Sequence, residues 1–351
     1  MTRKLRFAVI GCGFWADYQI AAWKELDGVE LVALYNRTMN KAEMLAAKYG
    51  VPRCYDDAEK MLVAEKPDFV DIITDVESHA HFTEMAARHS VQVICQKPMA
   101  SGPAAAAGMM AACRLSGVSL HIHENFRWQA PIRQVREILD SGIIGELFKA
   151  RVTYCSAFPV VMNQPFLAEL EEFILTDIGS HILDVCRFLF GEPLSIYCLT
   201  YRVNPLIKGE DVANIAMKMK NGMFCFAEMS YASILECEVF PQTLLLIEGS
   251  GGSIRLEADY IIKVTTASGT QTLRAEPVRY DWVDPMYAVV HSSIVDCNRN
   301  ILRALQGLEP AETTGSDNYK TMRLVWAAYE SSKRNAVIEL RDFNVVLHQP
   351  G

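Results

Sequence analysis

The sequence predicts an α/β domain on a doubly wound parallel sheet, followed by an α+β domain with an open, mainly antiparallel sheet and helices on one face. Three observations carry this. Up to residue 123, short apolar runs rich in β-branched residues alternate with helical patterns, as in a parallel sheet with crossover helices. From residue 124 on, longer stretches alternate in period two and meet at glycine-containing turns, which marks antiparallel hairpins. The length of 351 residues suits two cores of ordinary size, so domains 1–123 and 124–351 are expected.

The first-domain strands are expected at 4–10, 30–36, 68–74, 91–96 and 118–123, with "RCY" near 53–55 as a further short one. Helical patterns fill 15–26, 41–49, 57–65, 79–89 and 104–115. In the second domain "PIRQVREILDSG" places Ile132, Val135, Ile138 and Leu139 on one helical face and stops at Gly142. "LFKARVTYCS" and "LSIYCLTYRV" read as strands, and Asn221-Gly222 turns a hairpin. Two more hairpins follow in 243–276, then helices near 286–307 and 316–334, and "AVIEL" as a last short strand. Antiparallel neighbours in series imply a large sheet. One face packs on helices, and the other is expected to pack on another subunit.

Half of the chain is apolar, and the net charge of −8 argues against nucleic acid as the main partner. No apolar run reaches membrane-spanning length. The basic-then-apolar start "MTRKLRFAVI" stops at "GCG", too early for a targeting core. Ten cysteines lie singly, without a CxxC pair, and read as reduced core thiols of a cytoplasmic protein. The scattered pairs His79/His81 and His121/His123 do not assemble a ligand set, so no metal site is expected.

"FAVIGCGFWA" sets Gly11, Gly13 and Ala16 as G-x-G-x-x-A between the first strand and the first helix, which opens with Phe14 and Trp15. Gly11 permits the tight turn, Gly13 leaves room for a pyrophosphate, and Ala16 allows close helix–strand packing. The helix N-terminus then offers N–H groups to phosphate. Strand, loop and helix in this order are the Rossmann dinucleotide fingerprint. The second strand ends in Asn36, Arg37 and Thr38, where a carboxylate would select NAD. Without that carboxylate, and with Arg37 and Thr38 able to hold a 2′-phosphate, the preference tilts slightly to NADP over NAD.

"VICQKPMA" ends a buried strand with a lysine, a charge that needs a partner or a task. Ligands of doubly wound sheets sit at the carboxyl ends of the strands, so Lys97 points toward the nicotinamide end. "TDIGSHILDVCRFLFGEP" is a buried helix closed by Gly191 and Pro193, with Asp177 and His181 four residues apart. His181 suits the base that takes a hydroxyl proton. Lys97 suits stabilisation of a developing alkoxide. Asp177 suits substrate hydroxyls or the orientation of His181. The competing readings are a structural histidine and a capping aspartate.

These motifs resemble the Gfo/Idh/MocA oxidoreductases over nearly the whole chain. The resemblance rests on "AVIGCG", "DIITDVESHAHF", "VICQKPMA", "HENFRWQAPI" and "TDIGSHILDVCRFLFGEP". It implies that Lys97 stands in an E-K-P motif, touching cofactor and substrate, with a cis bond to Pro98. It implies that Asp177 and His181 form the D-x-x-x-H pair. Thr74 and His79 match the segment bordering the cofactor, and Asn125 and Arg127 the segment entering the substrate domain. One position departs from the pattern: Gln96 replaces the usual glutamate and loses a charge. The resemblance further implies an NAD(P)-dependent dehydrogenase of a sugar, inositol or polyol, forming a homodimer or homotetramer through the open C-terminal sheet. A non-catalytic NAD(P)-binding regulator and an NAD-dependent glycosidase are the alternatives that occur in such a family. The stretch 155–173 is expected to cover the substrate, with Asn163 and Gln164 as polar contacts and Phe158 and Phe166 as walls. Tyr154, Trp282 and Tyr287 are candidates to stack on a sugar face. No dense Arg/Lys cluster accompanies them, which favours a neutral or weakly acidic sugar over a sugar phosphate.

Overall fold

The fold is described from a computed structural model covering residues 3–343. The described chain forms two units, 3–125 with 294–320, and 126–293 with 321–343. The return of 294–320 to the first unit differs from a simple two-block division. Several hydrogen bonds tie it there. Asn298 Oδ1 accepts from Gln19 Nε2 at 3.2 Å, and Ile122 N donates to Thr313 O at 2.8 Å.

The first unit holds β1 (Leu5–Ile10), β2 (Val29–Tyr35), β3 (Cys54–Tyr55), β4 (Phe69–Ile72), β5 (Gln92–Gln96) and β6 (Leu120–His123). Their order is β3-β2-β1-β4-β5-β6, and each pairing is parallel. The order reverses between β1 and β4, and a doubly wound sheet binds its ligand at such a switch point. Phe7 and Phe69 stack at 5.0 Å, with Trp23 5.3 Å from each. The indole of Trp23 reaches past them to a buried carboxylate. Its Nε1 donates to Asp71 Oδ2 at 2.7 Å, and Gln19 Nε2 donates to the same oxygen at 3.0 Å.

The second unit holds β7 (Leu147–Cys155), β8 (Pro193–Tyr201), β9 (Val212–Met219), β10 (Phe224–Ser230), β11 (Leu244–Gly249), β12 (Gly252–Leu256), β13 (Ile261–Thr266), β14 (Gly269–Arg274) and β15 (Ile338–Glu339). The order is β14-β13-β12-β11-β7-β10-β9-β8-β15. The three expected hairpins are present, and Gly222 takes the left-handed conformation the first one needs, with φ +91°. The sheet is not a serial meander. β7 inserts between β10 and β11 and runs parallel to β10, since the long segment joining them lets the chain return in the same direction. Ala150, Val152, Ile196, Cys198, Ile215, Met217, Cys225 and Ala227 bury one face, while Phe224, Phe226, Leu199 and Tyr201 stay exposed. Among the described residues no helix is long and apolar enough to cross a membrane.

Asp71 is fully buried, and desolvation raises its carboxyl from the ordinary 3.8 to about 6, despite the donors Trp23 and Gln19. A raised folded pKa means that protonation favours the folded chain. The associated stability is complete below pH 3.8 and disappears as pH rises through about 6. Asp71→Asn keeps an acceptor oxygen and removes this titration. Urea unfolding across this range should show the variant gaining on the parent by about 2 kcal/mol between pH 4 and pH 6. A gap that stays constant with pH would contradict the assignment.

Candidate active site

At the carboxyl edge of the first sheet, short ties hold four loops in place. Gly11, with φ +106°, follows β1 so closely against the loop after β4 that a Cβ would lie 2.4 Å from the Ile73 carbonyl oxygen. Gly13 is the reverse case. It has ordinary φ −83°, and a Cβ there meets no atom within 4 Å. The helix Phe14–Lys24 begins directly behind it with no side-chain cap, so its first N–H groups suit a phosphate. These observations fit a dinucleotide at Gly13. Asn36, after β2, accepts from Cys12 N at 3.0 Å and donates to Thr38 O at 3.0 Å. The loop is thus pinned, with Arg37 and Thr38 exposed. Phe14 is exposed, and Trp15 is half-buried against Tyr18.

His79 joins the other two loops. Its Nε2 lies 3.2 Å from Thr74 O and its Nδ1 3.1 Å from Pro98 O. Two carbonyl acceptors favour the protonated ring, but burial outweighs them and lowers the pKa below the ordinary value. His79 therefore sets the spacing between Thr74 and the Lys97–Pro98 segment, whose peptide bond is cis. Lys97 is half-buried just beyond Gln96, which is buried.

In the second unit, Asp177 and His181 sit where two helical geometries meet. Leu175–Gly179 is a π-helical turn, and Ser180–Phe190 continues as an α-helix. π turns recur at functional sites. Tyr231 Oη donates to Asp177 Oδ2 at 3.1 Å. Burial first, and the Asp177 charge second, push the Tyr231 phenol well above its usual pKa, so it remains a donor. The turn is itself capped. Glu210 accepts from Phe173 N and Leu175 N, each at 3.2 Å, and from Tyr329 Oη at 2.9 Å. His181 is buried, and the ring of Phe126 lies face to face on its imidazole at 3.8 Å and 7°.

Arg127, expected at the substrate, is buried and engaged elsewhere. Its Nε and Nη2 donate to the two oxygens of Asp184 at 2.7 and 2.6 Å. Asn125 is buried too. Tyr154 is buried among Phe126, Tyr231 and Phe240. Burial first, then the Asp177 charge, raise its phenol well above the ordinary range. Tyr287 and Phe158 join the aromatic cluster through Phe240, whose ring stacks on Phe158 at 4.0 Å. Phe166 is exposed. Asn163 ends the short helix Val160–Asn163, and its side chain lies outside the described residues. Sequence reasoning missed Phe126, Tyr231, Glu210 and Tyr329. Each acts on the site from a distant part of the chain, and only the aromatic Phe126, inside "HENFRW", lay in a segment already singled out.

Known proteins share this fold. Residues 5–124 match the family described as "Oxidoreductase family, NAD-binding Rossmann fold". Residues 132–255 match the GFO/IDH/MocA C-terminal domain. The chain is 41% identical over 339 residues to a D-apiose dehydrogenase of Paraburkholderia graminis, covering 97% of this chain and 90% of that protein. It is 40% identical to a D-apiose dehydrogenase of Rhizobium rhizogenes over 96% of this chain and 98% of that one. A solved oxidoreductase from Agrobacterium radiobacter, in complex with NAD+, L-tartaric acid and magnesium, superposes with a TM-score of 0.94. It is 40% identical, over 96% of this chain and 99% of that one.

The two glycines should respond differently to alanine. Gly11→Ala forces a backbone clash and a left-handed φ, at about 1–3 kcal/mol or more, and should lower the melting temperature. Gly13→Ala should melt like the parent but lose at least about tenfold in cofactor affinity by fluorescence titration, a tenfold loss being about 1.4 kcal/mol. Unchanged affinity in Gly13→Ala would remove the phosphate from this loop.

Proposed function

The chain belongs to the GFO/IDH/MocA oxidoreductase family, and from that premise we propose that it is an NAD(P)-dependent dehydrogenase of a small unphosphorylated sugar, D-apiose first among the candidates. The observation that carries this is the placement of the open loop at Gly13 and of Lys97 on one carboxyl edge of the first sheet, tied together through Thr74 and His79. The identity to two D-apiose dehydrogenases over nearly the whole chain supports the substrate class.

A nicotinamide dinucleotide held at the Gly13 loop and the helix start behind it would supply the hydride acceptor. Lys97 donates a hydrogen bond to the reacting oxygen and stabilises its developing negative charge. His181 takes the hydroxyl proton, a contribution of about 10²–10⁴-fold. Asp177, held through Oδ2 by Tyr231, binds a neighbouring hydroxyl of the sugar. Asn163, Tyr154 and Asn125 are proposed to shape the region around it. Arg37 and Thr38 favour the 2′-phosphate of NADP slightly over NAD, since Asn36 brings no carboxylate to that strand end. The exposed sheet face with Phe224, Phe226, Leu199 and Tyr201 is proposed to meet a second copy of the chain. The ten free cysteines support a reducing, cytoplasmic setting.

The test is a panel of D-apiose, other aldoses, glucosides, inositols and L-tartrate with NAD+ and NADP+, followed by reduced-nicotinamide absorbance. D-apiose should give the highest kcat/KM. Lys97→Ala and His181→Ala should each lose about 10²-fold or more in kcat while cofactor binding persists. Sugar release without net reduction would favour a glycosidase, and no turnover with any sugar a regulator. Arg37→Ala should lower kcat/KM with NADP+ about tenfold, about 1.4 kcal/mol, and leave NAD+ unchanged. Equal effects on both cofactors would withdraw the NADP preference.

A further inference from the structure

We propose that Phe126 and the Arg127–Asp184 ion pair form a positioning device that fixes the ring plane of His181. This rests on the reading of His181 as the base. The stack is tight. At 3.8 Å and 7°, turning the imidazole about its last torsion would drive its edge into the phenyl face. Phe126 can act this way only if it cannot itself move. It is buried in the 3₁₀ turn Phe126–Trp128, and the next residue locks that turn to the helix bearing His181.

The lock is bidentate. Two parallel N–H···O bonds of 2.7 and 2.6 Å join Arg127 to Asp184, three residues beyond His181 and so on an adjacent part of the helix surface. Asp184 is held in turn. Thr321 Oγ1 donates to its Oδ1 at 3.0 Å and accepts from Arg187 Nη1 at 2.7 Å. Arg187 donates to Glu192 through Nε at 3.1 Å and Nη2 at 2.8 Å. Successive residues of one turn, Phe126 and Arg127, thus grip His181 and Asp184 of one helix. A base held in a single plane needs no reorientation before the proton moves, and misplacement by about 1 Å can reduce rate about 10²-fold.

The experiment compares Phe126→Tyr, Phe126→Met and Arg127→Lys in the full chain, with the most active sugar of the panel. Phe126→Met fills the space without a ring, and Arg127→Lys keeps the charge but not the fork, leaving the apolar packing intact. Both should lose about tenfold or more in kcat with the sugar KM within about twofold. Phe126→Tyr, which keeps the stack, should stay within about threefold of the parent. In proton NMR, the Cε1–H line of His181, identified by its loss in His181→Asn, should broaden or double in both defective variants. Parental kcat with an unchanged line in both would overturn the proposal. A defect in Arg127→Lys carried by the sugar KM would overturn it too, by placing Arg127 on the substrate. Near-normal turnover in His181→Asn would instead overturn the base reading, and the line shape would still report whether Phe126 holds the ring.

Discussion

The second unit depends on a charge pair taken almost wholly out of water. Arg127 and Asp184 are both buried, and each ion loses several kcal/mol of hydration on burial. Such a pair stands only when its geometry is close to ideal and its remaining lone pairs are used. Here the guanidinium fork meets the carboxylate with two short bonds, and Thr321 takes a further position on Oδ1. An apolar replacement of equal volume would pack as well, but it would not impose a direction. The pair fixes the angle at which the chain enters from the 3₁₀ turn, and hence where the Phe126 ring stands. Arg133 adds to this region by lying over Trp128 at 4.3 Å and Phe188 at 5.0 Å, which shields the apolar side of the turn while the charge stays accessible.

The first unit reaches a comparable rigidity with neutral groups. Its loops gather at the carboxyl edge of the first sheet, around the strand-order reversal between β1 and β4. Gly11 lets β1 and the loop after β4 approach to backbone contact. Asn36 and His79 then join neighbouring loops through backbone atoms. Burial lowers the His79 pKa, and its ring fills the space between two carbonyl groups, donating to one of them in the neutral form and to both only when protonated. The same physical demand, a loop that holds still at the end of a strand, is met by an ion pair in one unit and by amide and imidazole bridges in the other.

What was legible in the sequence follows from range. The alternation of strands and helices, the glycine loop, the Asn221-Gly222 turn and the lysine at the end of β5 are local signals, set by patterns within about twenty residues. The parallel placement of β7 beside β10, the return of 294–320 to the first unit and the engagement of Arg127 by Asp184 are not local. Arg127 illustrates the reason. Its side chain is as well suited to a sugar hydroxyl as to a carboxylate, and nothing in "HENFRW" says that Asp184, 57 residues on, will claim it. His79 matched a segment expected to border the cofactor, yet whether it touches the ligand or braces the loop depends on two carbonyl groups that only the fold brings within 3.2 Å.

The pair Asp177 and His181 shows how far a spacing argument reaches. Four residues apart, they share a face if the helix has begun by Asp177. It has, but as a π turn, which is less compact and less stable than an α turn and rarely survives without support. That support comes from outside the motif. Glu210, on the segment leading into β9, receives two backbone N–H groups at the start of the turn, and Tyr329 bridges Glu210 to Thr176. Burial raises the Glu210 carboxyl, while the backbone and Tyr329 donors pull the other way. The acidic group is thus held by hydrogen bonds at a site that would otherwise reject its charge. The first N–H groups of any helix lack a partner within it, and Glu210 accepts two of them at the start of this irregular turn. Asp177 is therefore aimed less by its own helix than by a carboxylate 33 residues further along the chain.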